Sequence, residues 1–404
     1  MAVKLGNGNW AVKEDKLLAY NDNSGRFFNK EFDFARGSIA TYVGKDGLIK
    51  SAASDVPRID FSDSTNGALL LEGQSTNLVN YSQDFNQSYW TKANTLILSN
   101  AVISPDSSLN SDKLYEDASS SSKLMFKSGI STLGTISVFV KKGNENNRLF
   151  QIRRDGGSNS WSWFNLDNGL IEYEENGIAN IKNYGNGWYR CSFTPTNSNG
   201  TIVFAISNGG LGRSVSYQGD GTSGVYIYGA QLEQGSYATS YIPSLSGSTT
   251  TRLADVCNNS GSAQDFNSES GVLYAEIAAL VDGSISRRIS LSDGTSNNRL
   301  FLFINSSQLE AVVVVAPNAP VVLVTNIDNT IFNKIAFNYK SGDSSLFING
   351  VKISNSTNAF TIPNLSKLSF DNGFGGDDFY GKTKDIQVFT EAKSDEFLAE
   401  LTTI

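Results

Sequence analysis

Short runs of alternating apolar and polar residues, each cut off by Gly, Asn, Ser or Asp, recur along the whole chain and leave little room for helices. Ile136-Ser137-Val138-Phe139-Val140, residues 200–206 and Val225-Tyr226-Ile227-Tyr228 are typical. A period of two over four to eight residues, bounded by turn formers, is the pattern of a half-buried strand. The chain is therefore expected to be all-β. Its 404 residues exceed one ordinary domain. An apolar content of 39% with 11% aromatic residues is enough for real cores and excludes a disordered chain. The 37 glycines follow no G-x-y period, so collagen is excluded too.

Particular segments sharpen this. In Tyr189-Arg190-Cys191-Ser192-Phe193 the alternation puts Tyr189, Cys191 and Phe193 on one face. Cys191 then points into a core as a small hydrophobe, the alternative being a disulfide with Cys257. In Leu346-Phe347-Ile348-Asn349-Gly350-Val351-Lys352-Ile353 the Asn-Gly pair supplies the two positive φ angles of a type I′ hairpin. Residues 300–304 and 309–315 read as another strand pair. One helix is expected, at the end of the chain. Ser394 is its N-cap, Asp395 and Glu396 suit the positive end of the dipole, and Phe397, Leu398 and Leu401 form an apolar stripe.

The residues that are missing exclude much chemistry. There is no histidine, which removes Ser-His-Asp and Cys-His nucleophilic sites and His-ligated zinc or haem. Two cysteines build neither a disulfide framework nor a zinc site. The net charge of −8 argues against a nucleic-acid partner, which calls for a basic field. No apolar run approaches the length of a membrane span, so no membrane insertion is expected. The first twenty residues hold no apolar h-region, so no signal peptide is expected either.

Composition also divides the chain. Residues 244–262 are rich in Ser, Thr, Gly and Asn, which places a linker at 244–265. Residues 93–243 and 266–404 each hold enough strands for a sandwich. Residues 1–92 are less regular and read as an N-terminal attachment region partly packed on the next domain. The expected fold is two tandem antiparallel β-sandwich domains, jelly-roll or concanavalin-like, preceded by that irregular region.

Several constellations are candidates for chemistry. Trp161 and Trp163 alternate on one face of a probable strand, with Asn165 and Asp167 following in phase. Flat aromatics beside amide and carboxylate groups make a sugar platform; the competing reading is that both indoles fill the core. Asp371, Asp377 and Asp378 bracket an acidic Gly-rich loop similar to those through which concanavalin-like sandwiches often hold calcium, the alternative being a simple acidic turn. Glu172, Glu174 and Glu175 lie in Ile171-Glu172-Tyr173-Glu174-Glu175-Asn176. The E-x-D-x-E strand of some sandwich glycanases fails here at Glu174 and Asn176, so no catalytic pair is assigned. Gly6-Asn7-Gly8-Asn9-Trp10-Ala11 matches G-x-G-x-x-A without the βαβ context of a dinucleotide site.

Three sets of motifs resemble a module common in bacteriophage structural proteins. They are Val56-Pro57-Arg58-Ile59-Asp60-Phe61 with Ala68-Leu69-Leu70-Leu71-Glu72 and Ser75-Thr76-Asn77-Leu78, then Gly187-Trp188-Tyr189-Arg190-Cys191, then Tyr228-Gly229-Ala230-Gln231-Leu232-Glu233 with Thr251-Arg252-Leu253-Ala254-Asp255-Val256. In that module they frame a carbohydrate-binding-like sandwich. The segment Phe379-Tyr380-Gly381-Lys382-Thr383-Lys384-Asp385-Ile386, leading to Ser394-Asp395-Glu396, resembles the closing strand and helix of concanavalin-like (laminin-G-type) sandwiches.

The resemblance implies a virion protein, a tail fibre or head fibre, assembled in the host cytoplasm and released by lysis. It implies a homo-oligomer docked on other virion proteins through about residues 1–60 and meeting host-surface glycans without catalysis. The rival readings are a polysaccharide-depolymerising tail spike, a purely structural adaptor and a bacterial adhesin.

Overall fold

The computed structural model describes residues 2–6, 8, 10–13, 16–21, 26–143, 149–156, 160–196, 200–208, 212–280, 286–305 and 307–404. The chain closes into two compact units. One comprises residues 46–51 and 75–252, the other residues 1–45, 52–74 and 253–404.

The unit built around 75–252 holds two six-stranded sheets. The first runs Thr95–Val102, Ser111–Glu116, Gly224–Glu233, Thr135–Lys142, Trp188–Pro195, Gly177–Asn183. The second runs Thr91–Ala93, Leu124–Ser128, Thr201–Ser207, Leu149–Asp155, Ser160–Asn165, Leu170–Glu175. Every pairing is antiparallel. Alternation sends Ile136, Val138, Cys191, Phe193, Val225 and Ile227 from one sheet against Phe150, Ile152, Phe164, Ile202 and Phe204 from the other. Two sheets joined by one apolar layer make a β-sandwich. Each such side chain, fully buried, stabilises it by about 1.5–3 kcal/mol. Both cysteines are free and buried, and burial holds the Cys191 thiol well above its ordinary pKa. Trp90 also belongs to this core, with its ring 5.4 Å from Phe85 and 5.7 Å from Phe204.

The other unit is a second sandwich. Its smaller sheet orders Asn318–Asn326, Gln308–Val315, Asn298–Ile304, Arg287–Ser292, Lys367–Ser369. The larger sheet is organised around Gly381–Phe389. On one edge that strand pairs with Ser270–Ala279, followed by Asn333–Lys340, Ser344–Ile348 and Val351–Ser356. Its other edge is shared. Gly381 to Thr383 pair with Ala68–Leu71, and Asp385 to Phe389 pair with Ala2–Gly6. Beyond Ala2–Gly6 the sheet continues through Lys16–Asn21, Arg26–Ala35 and Val256–Asn258. The Asn349-Gly350 hairpin forms as expected, with φ angles of 50° and 86°.

These divisions differ from the expected 1–92, 93–243, 244–265 and 266–404. Residues 1–45 and 52–74 join the unit of 253–404, because their strands complete its large sheet. The segment expected as a linker is also packed. Ser244, Arg252, Asp255 and Ser260 are all buried. Composition measures large apolar side chains, and this segment is held by polar ones.

Asp255 shows how. Arg58 Nη1 lies 2.7 Å from Glu72 and Nη2 lies 2.5 Å from Asp255, while Arg36 Nη1 lies 3.1 Å from Asp255. All four side chains are buried. The backbone closes the network. Glu72 N–H donates to Asp255 Oδ2 at 2.7 Å, Arg58 donates to the Thr41 carbonyl at 2.9 Å, and Arg36 Nε donates to the Ser38 carbonyl at 2.8 Å. Burial alone would lower the Arg58 pKa; the Glu72 and Asp255 carboxylates outweigh it and hold the guanidinium above its ordinary value. Each of these buried carboxylates thus faces a guanidinium, which offsets the cost of burying it.

The one helix among the described residues, Asp395–Thr402, starts where the sequence places it. Ser394 Oγ accepts the Phe397 N–H at 3.3 Å, and Leu398 packs with Val272, Tyr274, Ala336 and Phe347. Ser394→Ala is expected to cost about 1 kcal/mol in urea unfolding. An unchanged midpoint would show that tertiary packing alone sets this terminus.

Candidate functional site

The second sheet of the 75–252 sandwich has an outer face that is not a plain solvated surface. Phe150, Ile152 and Phe164 point inward, so their neighbours Gln151, Arg153 and Trp163 point outward. Register aligns the outward residues in rows across three strands. Gln151 faces Trp163, which faces Tyr173; in the next row Arg153 faces Trp161, which faces Glu175. With Arg213 and Val215, the residues Gln151, Arg153, Trp161, Trp163 and Tyr173 line a shallow pocket of ≈ 330 Å³.

Its polar groups are held in place. Arg153 pairs with Asp155, its Nη2 donating to Oδ2 at 2.7 Å and its Nε lying 2.6 Å from Oδ1. The Arg213 guanidinium stacks 4.1 Å from the Tyr173 ring centroid, a cation–π contact. The Tyr173 hydroxyl donates to Glu175 at 3.0 Å; this bond to a carboxylate raises the phenol pKa, with burial adding to it. Gln151 is only 4% exposed, and its Oε1 has no hydrogen-bond partner among the described residues. A buried acceptor without a donor is costly unless a ligand or water supplies one.

Trp161 and Trp163 share one face, and that face is outward rather than in the sandwich core. Trp161 is half-buried, and Trp163 is 3% exposed. Asn165 and Asp167 do not join them. The strand ends at Asn165, whose Oδ1 accepts the Asp167 N–H at 3.0 Å and whose carbonyl accepts the Gly169 N–H at 2.9 Å. Asp167 instead pairs with Lys142 at 2.6 Å. An Asx turn has replaced the strand phase on which the alignment depended.

The glutamates of Leu170–Glu175 are separately engaged. Glu172 accepts from Asn165 at 3.3 Å, Glu174 accepts the Ala179 N–H at 2.7 Å, and Glu175 serves Tyr173. Sequence reasoning missed Gln151, Arg153, Tyr173 and Arg213 as site residues. The alternation of Phe150 and Ile152 with Gln151 and Arg153 carried a signal for two of them. Arg213 follows no strand pattern and left none.

The three aspartates expected to ligate calcium are directed elsewhere. Asp371 accepts the Gly373 N–H at 2.6 Å and the Gly375 N–H at 3.1 Å; Asp377 pairs with Arg288; Asp378 accepts from the Tyr380 hydroxyl at 3.4 Å. Arg288 stacks on Phe301 and Phe303, and Arg299 on Phe301 and Phe374. These contacts fasten the loop to the outer face of the small sheet. Among the described residues no group of three acidic or cysteine side chains is placed to hold a metal ion.

No protein-family model matches the chain, and no curated protein matches it. Solved structures give partial likenesses. The carbohydrate-binding module of the Ruminococcus gnavus IT-sialidase, bound to α2,3-sialyllactose, is 17% identical with a TM-score of 0.31, over 36% of this chain and 93% of that one. Domain 4 of AbnA, an arabinanase from Geobacillus stearothermophilus, in complex with arabinotriose, is 12% identical with a TM-score of 0.31, over 41% and 82%. The mouse laminin α1 chain domains LG4-5 are 8% identical with a TM-score of 0.26, over 80% and 92%.

Proposed function

We propose that this chain is a non-enzymatic glycan-binding protein whose 75–252 sandwich takes saccharides on the platform of Trp161 and Tyr173, with the buried Trp163 beneath it. The observation that carries this reading is the pairing of outward aromatic rings with fixed polar groups. Apolar pyranose faces stack on rings, while hydroxyls need donors and acceptors that are already in place. Arg153, Arg213 and the Gln151 amide supply both kinds. The motif resemblance supports the finer reading, that of a tail or head fibre of a bacteriophage virion. There the chain would meet host-surface glycans as a homo-oligomer and dock on other virion proteins through about residues 1–60. Several copies on one particle would convert weak single-site binding into avidity.

The test is incubation of the purified protein with a panel of bacterial surface polysaccharides, following both retained protein and the mass of the polysaccharide. Retention without fragments is expected. Shortened chains would overturn the non-enzymatic reading in favour of a depolymerase. Absence of retention across the panel would favour the structural adaptor.

A further inference from the structure

A second concavity, of ≈ 670 Å³, opens in the same 75–252 unit and shares no residue with the platform. One buried carboxylate in its lining ties two backbone segments together. Asp112, 2% exposed, accepts the Phe85 N–H on Oδ2 at 2.9 Å and the Asn100 N–H on Oδ1 at 3.0 Å. Phe85 is a core residue flanked by the lining residues Asp84 and Asn86, and Asn100 lines the cleft itself. The strand Thr95–Val102 loses register with its partner between Leu98 and Val102, and Asn100 sits within that irregularity at φ 54°. Such a bulge re-aims side chains, and here Ser99 and Asn100 line the cleft. Burial, with Asp84 nearby, pushes the Asp112 pKa up to about 6 against the pull of those two N–H groups.

The lining is almost wholly amide, hydroxyl and carboxylate. Asn110 is oriented by its Nδ2, which donates to Asp106 Oδ2 at 3.3 Å; its buried Oδ1 has no partner among the described residues. At the rim Leu245 is 64% exposed. Ligand pockets run from about 300 to 1,000 Å³ and are usually apolar; this one has the volume and the opposite chemistry. Amides and hydroxyls both donate and accept, which is the complement of a ligand whose own groups are hydroxyls.

We infer that this cleft is a second saccharide site, built from Asn86, Ser99, Asn100 and Asn110 with Leu245 at its lip. It is independent of the platform. The test follows the Leu245 methyl resonances of the full chain during separate titrations with glucose, galactose, N-acetylglucosamine and rhamnose. A saturable shift with at least one of them is expected. Asn110→Ala should weaken that binding about three- to tenfold, the loss of one neutral hydrogen bond. Asn86→Ala, an exposed position with little bearing on folding, should weaken it similarly. Trp161→Ala should leave it unchanged. The inference is overturned if no sugar gives a saturable Leu245 shift, if both cleft variants bind like the parent, or if Trp161→Ala abolishes the shift. The platform reading survives the first two results.

Discussion

Replacing Arg58 by Met is expected to destabilise the protein by about 3–5 kcal/mol, seen as a fall in the urea midpoint. The loss comes less from the missing attraction than from what remains. Glu72 and Asp255 stay buried, and both lose the guanidinium that bridges them. Removing a carboxylate as well should recover part of the loss, so Arg58→Met with Glu72→Gln should be more stable than Arg58→Met alone. That non-additivity is the signature of residues sharing one network. A single variant whose midpoint matches the parent would show that water reaches these groups.

The second large effect concerns binding. Trp161→Ala is expected to weaken glycan retention about ten- to thirtyfold, in the range of an aromatic anchor, with little change in the unfolding midpoint. Trp161 is half-buried on the outer face, so its removal opens no core cavity. Trp163 is a poorer probe, because its burial mixes binding with folding. Arg213→Ala should give a smaller loss by freeing Tyr173 from its stacked partner. Equal retention by Trp161→Ala and the parent would remove the platform as the binding surface.

The parts of the fold fixed by local chemistry could be read from the sequence. The Asn349-Gly350 hairpin, the Ser394 cap, the inward Cys191 and the shared face of Trp161 and Trp163 each depend on a few adjacent residues. What escaped depends on partners far apart in sequence. Nothing near Ala2–Gly6 shows that it pairs with Gly381–Phe389. Nothing near Asp255 shows that two arginines from residues 36 and 58 converge on it.

The motifs quoted from the sequence also acquire a physical meaning. Arg58, Glu72 and Asp255 form the buried network. Trp188 donates its indole N–H to the Ile103 carbonyl at 3.2 Å, and Arg190 donates to the Thr239 carbonyl at 2.6 Å. Glu233 accepts from Ser75 at 2.6 Å, and Arg252 donates to Thr239 at 2.9 Å. These residues hold the framework. The platform side chains lie outside the motifs, so a resemblance resting on such motifs carries the fold and leaves the ligand open.

The pairing of Leu5 with Ile386 sets an order of events during synthesis. The first strand leaves the ribosome long before its partner exists, and at about 5–20 residues per second the wait is tens of seconds. The sandwich of 75–252 has no such delay. Its flanks are clasped by the pairing of Ser75 with Arg252, so it can complete itself while the earlier strands are still waiting. During that interval the early strands present unsatisfied edges that invite pairing with other nascent chains. Yield in a host cell should therefore depend on translation speed and chaperone supply, and slowing the middle of the message would lengthen the exposure rather than relieve it.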